Sequence, residues 1–295
     1  DPLSNELSEA KYVSNYFCTN HHEVSISKQD FINFLPTLAR QQDEPLSDPV
    51  SIPLYYVSEL ANRSNTPVIL VGEGADEIFS GYGLYNMLSN FNNRFYKPFS
   101  NLPSTIKNIS YNLAKFLLPE RKLNYVENAT LNRELFWGGS VVFSEKEKNR
   151  LLRNTANYNT YEKIIEPIYA KMDEINLQSS FIDRAINLEL NHRLPELLLM
   201  RIDKMAMSVS VETRVPFLDH KLVEFALGIP YKYKYRNGSG KFILKQAARG
   251  IIPDKIIDRK KYGFCGSSTN IISGSVIDYA EMIIMESEWV KNYFN

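Results

Sequence analysis

Cysteine is nearly missing. Cys18 and Cys265 are the two in 295 residues, too few for a disulfide framework and without metal-ligand spacing. They read as reduced thiols. Net charge is absent as well, with 34 basic side chains balancing 34 acidic ones. That argues against a general nucleic-acid or anionic-membrane binder, which would be basic. No apolar run approaches the length of a transmembrane helix, and no stretch reads as a secretory leader. The expected setting is cytoplasmic, with neither nucleic acid nor membrane as partner. Histidine is scarce, four in all. His21 and His22 are adjacent, and strand neighbours point to opposite faces, which disfavours a shared metal. His192 and His220 flank helical stretches and fit capping roles. What is present is an ordinary globular composition, 44% hydrophobic, long enough for one large domain or two small ones. Residue 1 is Asp rather than Met, and the expectation is a fragment or processed chain.

The first 85 residues alternate between patterns. Residues 3–17 and 28–42 read as helices, and His21–Ser27 alternates like a strand. Residues 51–65 form a further helix, with Ser51 placed to cap it and Pro53 in its first turn. Val68–Val71 is apolar and largely β-branched, the pattern of a strand buried on both faces. Strands separated by helices point to a parallel sheet with crossover helices. After residue 85 the chain reads as mostly helical. Ser144 and Glu147 have capping-box spacing, and Pro195 lies near a helix N-terminus. Helical stretches end at Gly228 with Pro230 and at Gly250 with Pro253. Residues 89–135 have weak periodicity and no clear assignment, and Tyr231–Lys241 reads as a loop.

The stretch VILVGEGADEIFSGYG, Val68 to Gly83, runs a strand through a glycine turn into a helix. Ligands of open α/β sheets bind at such a strand's carboxyl end. Gly72 and Gly74 permit close backbone approach and positive φ. Asp76 and Glu77 fall in the first helical turn, where the macrodipole favours negative charge, so these features alone fit a plain helix start. Glu73, between two glycines, is harder to explain that way. Carboxylates at a sheet edge suit Mg²⁺, which often bridges protein carboxylates and phosphates. A second stretch, MRIDKMAMSVSVETRVPFLDHK from Met200 to Lys221, sets charges among apolar residues. Buried charges must be paired, and Asp203, Glu212 and Arg214 are expected to form a buried ion-pair network.

Together these strings resemble the synthetase domain of the glutamine-hydrolysing asparagine synthetase family. TNHHEV, DEPLSDPVSIPLYYVSELA, GKFILKQA and RKKYGF recur in the family's order, and the likeness is weakest over residues 86–190. The resemblance implies a helix-rich α/β fold with a parallel sheet of the adenine nucleotide α-hydrolase-like (PP-loop) type. Residues 1–85 would be part of its nucleotide-binding core and 86–295 the mostly helical remainder of the same synthetase domain. It implies ATP and Mg²⁺, an aspartate-like carboxylate activated as an acyl-adenylate, and ammonia delivered by a glutaminase domain. It also admits a homodimer. Val71, Gly72, Glu73 and Gly74 align with the family's nucleotide-contacting Ser-Gly-Glu-Gly. Glu73 would be the acidic residue needed around the adenylate and amide-forming steps. Asp76 would hold the Mg²⁺–pyrophosphate and Lys241 would contact pyrophosphate in the transition state. Lys260 and Lys261 would lie near the site's mouth.

Three departures accompany the likeness. Val71 replaces the usual Ser and removes a hydroxyl. The family's phosphate loop, Ser-Gly-Gly-x-Asp-Ser, and its glutaminase domain have no counterpart in the sequence, so the sheet is expected to lack its first strand. A Ser- and Gly-rich string, residues 263–275, stands where the family has a Pro-containing helix. As given, the chain is expected to be inactive alone. The leading function is ATP-dependent asparagine synthesis. The alternatives are a relative acting on another carboxylate, by β-lactam or peptide ring closure or sugar-acid amidation, and a non-catalytic binding or scaffold module.

Overall fold

The computed structural model describes residues 6–44, 46, 48–139, 141–154, 160–175, 179–259 and 272–295. Lys260, Lys261, Cys265 and most of the Ser- and Gly-rich string lie outside the described residues. The chain is helix-rich α/β with a small parallel sheet. It divides into two units. One comprises Asp1–Gly74, Pro195–Phe225 and Ile243–Val290, and the other Ala75–Leu194, Ala226–Phe242 and Lys291–Asn295.

In the first unit, α1 runs Leu7–Tyr16 and ends before Cys18, which takes a left-handed conformation at φ 54°. Cys18 thus sits in a turn just past the helix, not in a helical stretch, although the sequence around it reads as helical. His21–Ser27 is not a strand, because no segment among the described residues pairs with it. Its last residue is a helix cap instead. The Ser27 hydroxyl accepts the Asp30 N–H at 3.1 Å and the Asp30 carboxylate accepts the Ser27 N–H at 2.9 Å, opening α2, Lys28–Gln42. Helix α3, Ser51–Arg63, starts differently from expectation. Asp48 Oδ1 accepts the Val50 N–H at 3.0 Å, a local Asx turn, and Ser51 is already helical and buried. Its hydroxyl accepts a bond from Gln42 Nε2 at 2.9 Å. Phe31 and Phe34 of α2, Ile52 of α3, and Ile202 and Met205 of the Met200–Met207 helix form the core here.

Strand β1, Val68–Leu70, pairs in parallel with β2, Glu212–Arg214, with Val68 opposite Glu212 and Leu70 opposite Arg214. The ladder continues through Val71 N–H to Arg214 O at 2.9 Å. The strand is not buried on both faces, and Leu70 is 71% exposed. Cover on both faces needs a layer packed on each side, and at Leu70 that layer is missing among the described residues. Val71, just past the strand, does pack against the core.

In the second unit, α4, Ala75–Ile78, is a single turn. A core of Tyr85, Leu88, Phe136, Tyr169, Ile186 and Leu188 lies further along the chain. The unassigned stretch 89–135 is largely helical, including α5, Ser104–Leu117. This helix turns Lys107 and Ala114 inward. Lys107 is buried, donating to Ser100 O at 3.1 Å and Asn132 Oδ1 at 2.7 Å. Ile106, Ile109 and Leu113 are exposed, as is Phe116 at 88%. Ser144 and Glu147 form the expected capping box. The Tyr231–Lys241 segment is a one-turn helix, Tyr231–Lys234, followed by a tight turn in which Arg236 and Ser239 exchange backbone bonds. Asn237 and Gly238 both have positive φ there, as a type I′ turn requires.

Pro195 is not at a helix start. It lies within Glu189–Leu199, which is wound as a wide π-helix. Proline has no N–H and crowds the preceding turn, and a wider turn accommodates both. Among the described residues, no helix is long and apolar enough to cross a membrane.

Candidate active site

Asp76 projects from α4, the turn that opens immediately after Gly74. Its Oδ2 lies 3.0 Å from the Nζ of Lys241, and both side chains are about three-quarters covered. The approach is fixed by backbone. Lys241 N–H donates to Phe79 O at 3.1 Å, and Lys241 holds φ 53°, a conformation uncommon for any residue but glycine. Gly81 provides the clearance. A Cβ there would lie 1.9 Å from Asp76 Oδ1 and 2.5 Å from Lys241 Cε. Gly240 does the same on the lysine's side, where a Cβ would lie 2.4 Å from Ser80 O. A carboxylate and an ammonium are thus packed over two bare backbone positions at a helix start. That pairing offers an oxygen ligand and a cation to a phosphate group.

Glu77, read above as one of two acids at a helix start, points inward and is 1% exposed. Its Oε1 accepts the Tyr82 hydroxyl at 2.8 Å and lies 3.9 Å from Arg193 Nη1. Burial pushes its carboxyl above the usual range, and the Tyr82 bond opposes this in part. Arg193 donates to Glu189 Oε2 at 2.6 Å, and Glu189 Oε1 accepts the Gly139 N–H at 2.7 Å. Burial also raises the Tyr82 hydroxyl, assisted by the negative Glu77. Glu189 and Arg193 were missed in the sequence. Their i, i+4 spacing was the available signal, but such pairs usually lie on solvated helix faces.

Val71, Gly72, Glu73 and Gly74 belong to the first unit. Val71 contributes a backbone bond to β2 and an apolar side chain to the core. Nothing lies within 4 Å of a Cβ built on Gly72, and Gly74 has the positive φ, 88°, expected of it. Glu73 Oε1 accepts from Arg201 Nη2 at 3.4 Å, and Arg201 Nη1 pairs with Asp48. Lys204, three residues on, donates to Gln42 O at 2.6 Å and Asp43 Oδ2 at 3.2 Å, closing the C-terminal end of α2. The structure therefore brings Asp76 to Lys241, and Glu73 to Arg201 and Asp48.

The ion-pair network expected of Asp203, Glu212 and Arg214 is not buried. The Met200–Met207 helix turns Arg201, Ile202, Met205 and Ala206 inward, and that phase leaves Asp203 exposed. Glu212 and Arg214 pair at 2.7 Å on one side of β2, more than half exposed, because alternate strand residues share a face. The buried cation of the string is Arg201. Periodicity with Ile202 and Met205 carried that signal.

A helix-rich α/β chain with a small parallel sheet thus carries a carboxylate–lysine pair, Asp76 with Lys241, on the turn that follows β1 in sequence. The whole sequence, residues 1–295, matches the asparagine synthase family. It is 32% identical over 266 residues to asparagine synthetase [glutamine-hydrolyzing] 1 of Bacillus subtilis (strain 168), covering 89% of this chain and 40% of that protein. It is 30% identical over 243 residues to a putative asparagine synthetase [glutamine-hydrolyzing] of Mycobacterium tuberculosis (strain ATCC 25618 / H37Rv), covering 81% and 35%. Amidase chyE of Penicillium rubens is 23% identical over 288 residues, covering 90% of this chain and 42% of that protein. The chain belongs to the asparagine synthase family. It spans two fifths or less of the length of the first two relatives.

Proposed function

We propose that this chain is the synthetase part of an ATP-dependent amide-forming enzyme that converts aspartate to asparagine with ammonia released from glutamine elsewhere in the whole protein. The two strands β1 and β2 would belong to a nucleotide α-hydrolase-like sheet. Residues 1–85 would supply part of the nucleotide-binding core and 86–295 the rest of the same synthetase domain. The observation that carries the reading is the Asp76–Lys241 pair, held 3.0 Å apart over Gly81. In the reaction, a substrate carboxylate oxygen attacks the α-phosphorus of ATP, the bond to the β-phosphate breaks, and pyrophosphate leaves. Lys241 offsets the negative charge that develops on that leaving group. Ammonia then attacks the acyl carbon, AMP departs, and Glu73 takes the proton lost by nitrogen.

Asp76 suits a magnesium ion, since hard oxygen donors hold Mg²⁺ and one carboxylate with substrate phosphates is a common arrangement. Among the described residues no group of three or more His, Cys, Asp or Glu gathers, so the remaining ligands of such an ion would have to be the nucleotide's oxygens. When bound, the ion would neutralise phosphate charge.

A second reading, amidation or ring closure on another carboxylate, is favoured by Val71, which brings an apolar side chain where the family has a hydroxyl, and by the likeness to an amidase. The test is ATP–pyrophosphate exchange by the intact protein with a panel of carboxylates. Aspartate-dependent exchange supports the first reading and exchange with another acid supports the second. With the productive acid, Glu73→Gln should abolish amide formation without unfolding the protein, and Lys241→Ala should suppress exchange. Unchanged exchange in Lys241→Ala removes that lysine from the mechanism.

A further inference from the structure

We propose that Arg201 is a positioning residue for Glu73, fixed in turn by Asp48. This deepens the reading above and rests on it. Three segments distant in sequence meet here: the turn before α3, the turn after β1, and the Met200–Met207 helix. Arg201 is 8% exposed, and its neighbours on the inward helix face, Ile202 and Met205, are core residues. A guanidinium in such a position is costly unless paired, and apolar residues of similar size often serve packing as well or better. Anchoring the helix does not require it, because Lys204 already ties the same helix to Gln42 and Asp43.

Asp48 alone would satisfy Arg201 as an ion pair. The guanidinium instead uses its planar fork for two acids, Nη1 on Asp48 and Nη2 on Glu73 Oε1. A planar fork transmits direction as well as charge. Glu73 stands in a turn between two glycines, where its own backbone supplies little restraint, and its side chain is a quarter exposed. Arg201 is its one hydrogen-bonding partner among the described residues. One carboxylate oxygen is thus held and the other is left to face a reactant. Asp48 sets the guanidinium, the guanidinium sets Glu73, and Glu73 meets the reacting nitrogen.

The test uses the intact protein and the carboxylate that supports its exchange. Arg201→Met should lower kcat for amide formation on the order of 100-fold, the effect of a misplacement of about 1 Å, with KM for ATP changed by less than about twofold. Arg201→Lys keeps the charge but loses the fork, so it should melt like the unsubstituted protein and recover only part of kcat. Asp48→Asn should show the same split to a smaller degree. Glu73→Asp is too short to keep the contact, and in that background Arg201→Met should add no further loss, because the pair acts as a unit. Multiplying losses in the double variant, or full turnover in a folded Arg201→Met, would overturn the positioning role. If Arg201→Met does not fold, Arg201→Lys and Asp48→Asn carry the same comparison against Glu73→Asp. An unsubstituted protein that exchanges with no carboxylate overturns the amide-forming reading, and the positioning role falls with it.

Discussion

Gly81 is where a single added carbon has the most to disturb. A methyl group there would meet both members of the Asp76–Lys241 pair well inside contact distance, so one of them must swing away. Gly81→Ala should therefore cut pyrophosphate exchange on the order of 100-fold, as displacements of about 1 Å do, while circular dichroism shows the helices intact. Lys234 gives a separate residue-scale prediction. It is 3% exposed, and burial holds its ammonium below the ordinary lysine range, with Asp183 opposing in part. A base whose folded value is depressed favours the folded state most when it is neutral. Stability is then lost as pH falls from the unfolded lysine value, about 10.4, through the lower folded one. Lys234→Met should raise Tm by roughly 2–4 °C at neutral pH, with the gain shrinking as pH approaches 10. An equal gain at every pH would contradict this assignment.

At the scale of elements, the start of α2 is decided by a few polar atoms. Ser27→Ala removes one half of its capping box and should destabilise the protein by about 1 kcal/mol, read from chemical denaturation. The strand-to-helix passage from Val68 to Ile78 could be read in the sequence because a β-branched run, glycines and acids each dictate their own local geometry. The caps at Ser144 and the stop at Gly228 were legible for the same reason. His21–Ser27 was misread because alternation permits a strand but a pairing neighbour is what completes one. Ser51 is not a cap because the helix already includes it; Val50 stands at the N-cap position without a side-chain cap bond, and Asp48 closes the turn just before it. The site was legible where local rules act, at Asp76 and the glycines. It was illegible where tertiary packing decides, as with Arg201, Glu189 and Arg193, whose burial depends on helix phase and on partners far along the chain. Residues 89–135 have no clear assignment in the sequence although Ile106, Ile109, Leu113 and Phe116 keep helical spacing; what the sequence does not show is that α5 buries Lys107 and turns that apolar side outward, the reverse of an ordinary amphipathic helix.

For the molecule as a whole, that reversal governs handling. Ile106, Ile109, Leu113 and Phe116 lie along one side of α5 in contact with solvent, and an apolar stripe of this kind invites adhesion. The protein should bind hydrophobic dyes while fully folded and lose soluble material on concentration. Leu113→Glu should relieve both, with little change in Tm because Leu113 supports no core; dye fluorescence and the solubility limit read the outcome. A purification that recovers this chain poorly would then be reporting on one greasy helix flank, and a single charge placed there is the remedy to try before detergents or fusion partners.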